Sequence, residues 1–266
     1  MSPYHLGINI GHDRAAALVK DGDIAVAISQ ERLDRNKHSV GFLHHAVGDE
    51  SQVQLPDEAI RYCLDSLGIN FGDLATITAN MPGRDCSPEI LSRTLAPEFL
   101  DKVQQLPTHH LAHAYTAYWP SGFDDALVMV VDASGSTDEK NRTESYSLYY
   151  GYGTSLTPYH NEKVSAHLAG LSTLGFIYEY VTRKADFVSR VGPSMTVPES
   201  GKLMGLAPYG GPQEKWHRWI KSQQGDLSLT MSAYDIFLEF AALEKRYDDG
   251  EGKAYLRPYL VDLAWK

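Results

Sequence analysis

Cysteine is almost missing from this 266-residue chain: there are two, Cys63 and Cys86, with no CxxC spacing. That excludes a disulfide framework and a cysteine-rich metal module. Cys63 falls on the apolar stripe of an expected helix, which reads as a reduced, buried thiol. Basic residues are also short, 24 against 34 acidic ones, for a net charge of -10. A chain with this balance lacks the broad cationic surface that phosphate backbones favour, so general nucleic-acid binding is excluded, although a local basic patch can still hold a small phosphorylated ligand. No apolar run approaches the length of a membrane span, and the opening MSPYHLGINIGHD has no signal-peptide pattern. The expectation is a soluble cytoplasmic protein with no membrane partner.

The chain is long enough for one large domain or two modest ones. Strands are expected at residues 6–10, 15–20 and 24–29, with Asp21-Gly22 as a hairpin turn between the second and third. A helix follows with Pro56 at its first position, apolar residues Ala59, Ile60, Cys63, Leu64 and Leu67 at helical spacing, and Gly68 closing it. Then come a strand at 75–79, a looser helical stretch over 90–103 and a short helix over 109–119. A strand starting at Ala126 is apolar throughout, as a strand covered on both faces should be. A polar stretch (136–144) leads to another strand at 145–151. Strand, turn with Asp and Gly, and returning strand thus recur, which implies two similar halves, 1–122 and 123–266. Residues 168–187 read as a helix and 192–212 as a Gly/Pro-rich loop. Residues 216–223, 233–246 and the last few read as helical. The second half supplies only two or three strands before the end, and residues 260–266 begin an amphipathic helix without a terminator, so the chain reads as stopping in mid-domain.

Five stretches carry candidate chemistry. In Thr108-His109-His110-Leu111-Ala112-His113, His109 and His113 are four apart, so on a helix both imidazoles project from one face and can grip one cation. No Glu follows the first His, so this is not the HExxH motif; the same spacing also suits a structural His pair. Asp132 ends the apolar strand and precedes Ala-Ser-Gly-Ser, a carboxylate beside a tight turn whose amides can cradle phosphate or which it can simply cap. Gly11-His12-Asp13-Arg14 places a titratable imidazole in a turn between strands, where it can exchange a proton near neutrality with Asp13 adjacent to orient it, or be an ordinary surface-loop histidine. The run Glu31 to His38, with Lys37, can hold phosphate or be a solvated charged loop. Glu199-Ser200-Gly201-Lys202-Leu203-Met204-Gly205 offers glycines and a lysine for close approach to a nucleotide.

Taken in order, these stretches resemble the NodU/CmcH carbamoyltransferase family, whose members carbamoylate hydroxyls of antibiotics and Nod factors. The resemblance rests on LGINIGHDRAAALVKDG, ISQERLDRNKH, HHLAHAYTAYWPSGFDDALVMVVDASGS, LGFIYEYVT and GKLMGLAPYG, across nearly the whole chain. It implies an α/β fold of the actin/hexokinase (ASKHA) type, built of two halves and similar to the tRNA threonylcarbamoyl transferase. An adenylate-forming domain should follow it, on which carbamoyl phosphate and ATP give carbamoyl-adenylate. The resemblance implies iron(II) or a similar divalent transition metal on His109, His113 and Asp132. It makes His12 the catalytic histidine and puts nucleotide at Ser134, Gly135 and Ser136 and along Gly201 to Gly205, with Glu199 and Lys202 in the same stretch. On the residues' own chemistry Asp13 is the adjacent orienting group and Lys37 the next candidate for the base. The other implied partner is a hydroxylated small-molecule acceptor, and a homodimer is left open. This chain departs from the family in Asp132-Ala133, where Asp-Gly is usual, and in length, members being about twice as long, so the fourth metal ligand and the adenylate-forming domain would lie past residue 266. A small-molecule kinase of the same fold, or a truncated nucleotide-binding chain without activity, stand as alternatives.

Overall fold

The computed structural model describes residues 3–41, 53–81, 86–167, 173–191 and 195–211, with 238, 241 and 242 besides. The helices expected at 216–223, 233–246 and the end lie outside these, except that the three isolated positions are helical. The chain divides into two compact units, 1–126 with 151–156 and 127–150 with 157–266.

The first unit opens with β1 (Tyr4–Asn9), β2 (Ala15–Lys20) and β3 (Asp23–Ser29). Both junctions are antiparallel, Asn9 pairing with Ala15 and Lys20 with Asp23. The second turn is Asp21-Gly22, both at positive φ (55° and 87°), the conformation that tight hairpins demand and that this dipeptide tolerates. α1 (Glu31–Asp34) and α2 (Asp57–Leu67) follow. Pro56 turns out to be the N-cap of α2 and not its first helical residue, and Gly68 ends the helix in the left-handed region as expected. α2 buries Ala59, Ile60, Cys63 and Leu64 against β2 and β3. β4 (Leu74–Asn80) returns parallel to β1.

The helix expected over 90–103 is only α3 (Pro88–Leu91), capped by Ser87, followed by a 3-10 turn over Pro97–Lys102. Pro97 lacks the amide a continuing helix needs, and Val103 passes into β5 (Val103–Gln105), parallel to β4. The sheet order is therefore β3-β2-β1-β4-β5. Its core is built on Leu6, Ile8, Leu18, Ile60, Ile77 and Ile90, all at most 3% exposed. α4 (His109–Tyr118) closes the unit, N-capped by Thr108, whose hydroxyl accepts from the Leu111 amide. It ends where Pro120 enters a 3-10 turn. The buried Tyr118 hydroxyl lies 3.1 Å from the carbonyls of both Asp124 and Gly153.

In the second unit β6 (Asp125–Val131), β7 (Arg142–Tyr152) and β8 (Ser155–Ser165) form a sheet in that order, their ends at 125–126 and 151–156 belonging to the first unit. β6 is apolar but not covered on both faces. Val128 and Val130 are buried, while Leu127, Met129 and Val131 are 41–64% exposed. The apolar run measured composition, whereas coverage depends on what packs above the strand. β7 starts earlier than expected, at Arg142, and β8 was not anticipated because its HNEK segment has no apolar alternation.

Of the helix expected over 168–187, residues 168–172 lie outside the described ones; α5 covers Leu174–Lys184 and stops before the expected end. Thr173 caps it, its hydroxyl accepting from the Phe176 amide. After α5 comes β9 (Val188–Val191), paired antiparallel with β10 (Met195–Pro198); β10 and α6 (Ser200–Leu206) fall in the stretch expected to be a Gly/Pro-rich loop. With five strands among the described residues, β6 to β10, this part of the chain carries more sheet than the two or three expected. No helix among the described residues is long and apolar enough to cross a membrane.

Candidate functional site

The turn between β1 and β2 is held from several directions. The Asn80 side chain donates to Asn9 Oδ1 (2.8 Å), and Asn9 Nδ2 donates in turn to the Asp13 carbonyl (3.1 Å). Asn9 and Asn80 end two parallel strands side by side, the edge at which binding groups collect in such sheets. The Asp13 amide donates to the His38 carbonyl at 2.7 Å, and Asp13 sits at φ 59°, a left-handed conformation that Asp tolerates better than most residues.

His12 and Asp13 come together in this turn as expected, and a third group joins them. His12 Nδ1 lies 2.7 Å from Asp13 Oδ2, and His38 Nδ1 lies 2.9 Å from Asp13 Oδ1. Partial burial works against the Asp13 charge, but hydrogen bonds and positive charge from His12 and His38 outweigh it and hold its pKa below the ordinary carboxylate range. An ionised carboxylate only accepts, so both Nδ1 atoms carry protons. In a neutral His12 the lone pair is then on Nε2, on a side chain 66% exposed. That is the tautomer of a general base oriented by a carboxylate. Lys37 is exposed on the same loop as His38.

On α4, His109 Nε2 and His113 Nε2 are 3.0 Å apart, their rings edge to face. Two nitrogens bound at right angles to one ion at ~2.1 Å would be about 3.0 Å apart, so the pair fits a borderline metal's donor set. The same distance suits an N–H···N hydrogen bond when no ion is bound.

Asp132, in the second unit, follows β6 directly. Its Oδ1 accepts from the Ala133 amide at 2.7 Å. Gly135 donates its amide to the Glu144 carbonyl (3.0 Å) and Ser136 donates to Glu144 Oε2 (3.0 Å). Glu144 is fully buried, and its other oxygen accepts from Asn161 Nδ2 at 2.8 Å. Ser134 Oγ pairs with Thr143 Oγ1. Of the two readings of this turn, the capping one fits these bonds: three of its amides hold the loop to Asp132 and Glu144. Thr173 donates its hydroxyl to the Ala133 carbonyl at 2.8 Å. A Cβ on Gly175 would meet Ala133 N at 2.2 Å and the Asp132 carbonyl carbon at 2.4 Å, so the first turn of α5 lies directly on the Asp132-Ala133 backbone.

Gly201, Lys202 and Gly205 are on α6 and not in a loop, with Glu199 as N-cap. A Cβ on Gly201 or Gly205 would meet nothing within 4 Å, and Lys202 Nζ is 3.7 Å from Glu199 Oε1. Glu199 also accepts from the Ser189 hydroxyl. These residues thus form one small group and Ser134 to Ser136 another, each held by its own neighbours. Sequence reasoning passed over His38, Glu144, Thr173 and Gly175. His38 lay within the charged run ending in Asn-Lys-His, whereas Glu144, a single Glu in a polar stretch, gave no signal of its own.

Comparison with known proteins places the chain. The family described as carbamoyltransferase N-terminus matches residues 4–87 and 78–234. Nodulation protein NolNO of Sinorhizobium fredii is 29% identical over 251 residues, covering 86% of this chain and 32% of that protein. The uncharacterized protein sll1178 of Synechocystis sp. is 30% identical over 239 residues, covering 76% of this chain and 34% of its own length. The chain spans about a third of the length of these relatives. Among solved structures, component A of the Acidaminococcus fermentans (R)-2-hydroxyglutaryl-CoA dehydratase has a TM-score of 0.45 at 12% identity, over 99% of this chain and 72% of that one, a similarity too low to bear on fold or function. By the family match over most of its length, this α/β chain belongs to the carbamoyltransferase N-terminus family.

Proposed function

We propose that the chain serves the acceptor side of an O-carbamoyl transfer, from carbamoyl-adenylate to a hydroxyl of a small-molecule natural product or sugar. The observation that carries this reading is the family match over residues 4–87 and 78–234; the geometry that fits it is the His12-Asp13 pair in the first turn. In this reading His12 Nε2 takes the proton of the acceptor hydroxyl as its oxygen bonds to the carbamoyl carbon. The bond from that carbon to the phosphate oxygen breaks, and AMP leaves with the electron pair. Asp13 holds the protonated Nδ1 and stabilises the imidazolium that forms. Lys37 is the second candidate for a group near the reacting atoms.

His109 and His113 on α4, with Asp132 as third ligand, would hold an iron(II)-type ion. Such an ion supplies Lewis-acid stabilisation for the charge developing as AMP departs. The 3.0 Å separation of the two Nε2 atoms supports the first two ligands; Asp132 is assigned by resemblance. Nucleotide would approach the Ser134 to Ser136 turn, and Gly201 and Gly205 leave an open helix face beside Lys202. We read the two units as the halves of an actin/hexokinase-like (ASKHA) fold, on the β3-β2-β1-β4-β5 order of the first and the strand-turn-strand opening of the second. Carbamoyl-adenylate itself would form from carbamoyl phosphate and ATP on a further domain.

The test supplies carbamoyl-adenylate and a hydroxylated acceptor to a complete family protein carrying this sequence. Carbamoyl ester formation supports the reading. Transfer of phosphate from ATP to the acceptor, without carbamoyl ester, would replace it with the kinase alternative.

A further inference from the structure

His38 is the residue of the first-turn cluster that the His12-Asp13 reading leaves unused. An imidazole and a carboxylate on consecutive residues, with side chains 66% and 51% exposed, make a weak clamp by themselves. The carboxylate can rotate about its terminal torsion, and water competes for both oxygens. Here the second oxygen is taken by His38 Nδ1 at 2.9 Å, from a side chain only 15% exposed. Bonds to both oxygens fix the carboxylate plane, and with it the direction from which His12 Nδ1 must be met.

The position of His38 is itself determined from the interior. His38 and Ser39 are both at positive φ, 64° and 36°. The buried Arg14 guanidinium holds that conformation: Nε donates to the Ser39 carbonyl (2.8 Å), Nη2 to Ser39 Oγ (2.7 Å) and Nη1 to the Leu55 carbonyl (2.6 Å). Ser39 Oγ donates onward to Asp34 Oδ2 at 2.5 Å, and the His38 amide donates to Glu31 Oε2 at 2.9 Å. The Asp13 amide, bonded to the His38 carbonyl, ties the two backbones together. A buried fork thus supports Ser39, the Ser39 loop supports His38, and His38 supports Asp13.

We propose that His38 positions the His12 base by clamping Asp13 between the two imidazoles, an inference that rests on the reading of His12 as proton acceptor. His38 acts through Asp13, so its signature is the tautomer of His12 and not merely stability. Glycine and asparagine both accept a backbone at φ 64°, which lets the side chain be changed without forcing the loop. The amide nitrogen of asparagine can donate from near the place of Nδ1.

The experiment records side-chain nitrogen spectra of the 266-residue chain with 15N-labelled histidine, above the pH at which the rings lose their charge. In the unsubstituted chain His12 and His38 should both be protonated at Nδ1 alone. In His38→Gly the single tautomer of His12 should be lost to exchange between the two forms, and His38→Asn should restore it. A His38 protonated at Nε2 in the unsubstituted chain overturns the proposal, as does a His12 tautomer unmoved in His38→Gly. Should the glycine variant fail to fold, the spectrum of the unsubstituted chain still decides. No turnover is involved, so absence of carbamoyl transfer would remove the role of His12 as base without touching the clamp, and loss of the clamp would leave the transfer reaction standing.

Discussion

In the proposed reading the chemistry at His12 turns on which ring nitrogen carries the proton, and the two hydrogen bonds to the Asp13 carboxylate would set it. A general base contributes about 10²- to 10⁴-fold in rate. His12→Asn in a complete family protein should lower kcat by that order from supplied carbamoyl-adenylate, with metal content and adenylate formation nearly unchanged. A near-normal rate removes His12 from the role and points to Lys37. The metal assignment is tested separately. Protein purified without chelator should contain near-stoichiometric iron, zinc or manganese, and His113→Ala should lose it; equal traces in both would mean that the 3.0 Å pair is a hydrogen bond. Arg14 shows how a residue read only as part of a turn becomes structural. Burial lowers its pKa against the pull of Asp34, Asp57 and Glu58, and its fork meets three acceptors that a lysine cannot reach together. Arg14→Lys should cost roughly 1–3 kcal/mol in denaturant unfolding, the range for buried polar groups left unpaired.

Around Asp132 the loop is held by amides that the sequence left open to phosphate or to capping. Helix α5 touches the Asp132-Ala133 backbone without a side chain between them. In Gly175→Ala the new carbon would fall on backbone atoms, which cannot rotate away as a side chain would. The expected loss is about 1–3 kcal/mol, typical of overpacking, together with weaker metal binding if Asp132 is a ligand. Normal stability and metal content would show that α5 does not position that loop. In the loop before β7, Asp138 accepts from the backbone amides of Arg142 and Lys140 and from the Arg142 side chain, and its pKa is lowered from 3.8 to about 2. The Arg142 backbone bond contributes most, against an opposing desolvation. A depressed carboxylate stabilises the fold above its unfolded pKa and loses that contribution as pH falls through its folded value. The difference in melting temperature between the unsubstituted chain and Asp138→Ala should therefore be constant near neutrality, shrink between about pH 4 and 2, and vanish below. A difference that persists at the acid end would place the effect elsewhere.

For the molecule as a whole, the local sequence determined a good deal. β2 runs over the expected residues, α2 ends at Gly68 and α4 begins at His109, because hairpin turns, a left-handed glycine and a threonine cap act over a few neighbouring residues. The pairing of His12 with Asp13, and of His109 with His113, was legible for the same reason: one is adjacent and the other is one helical turn. What only the tertiary structure decided depends on residues far apart in sequence. His38 reaches Asp13 across 25 positions, Thr173 reaches Ala133 across 40, and the Glu144 carboxylate takes an amide that looked available for phosphate. The same holds for β6, whose apolar composition gave no sign that one face is exposed, and for the stretch at 192–212, where glycine and proline suggested a loop and the structure has β10 and α6. A short-range pattern reports what a segment can do alone; burial and hydrogen-bond competition are set by whatever the rest of the chain brings against it.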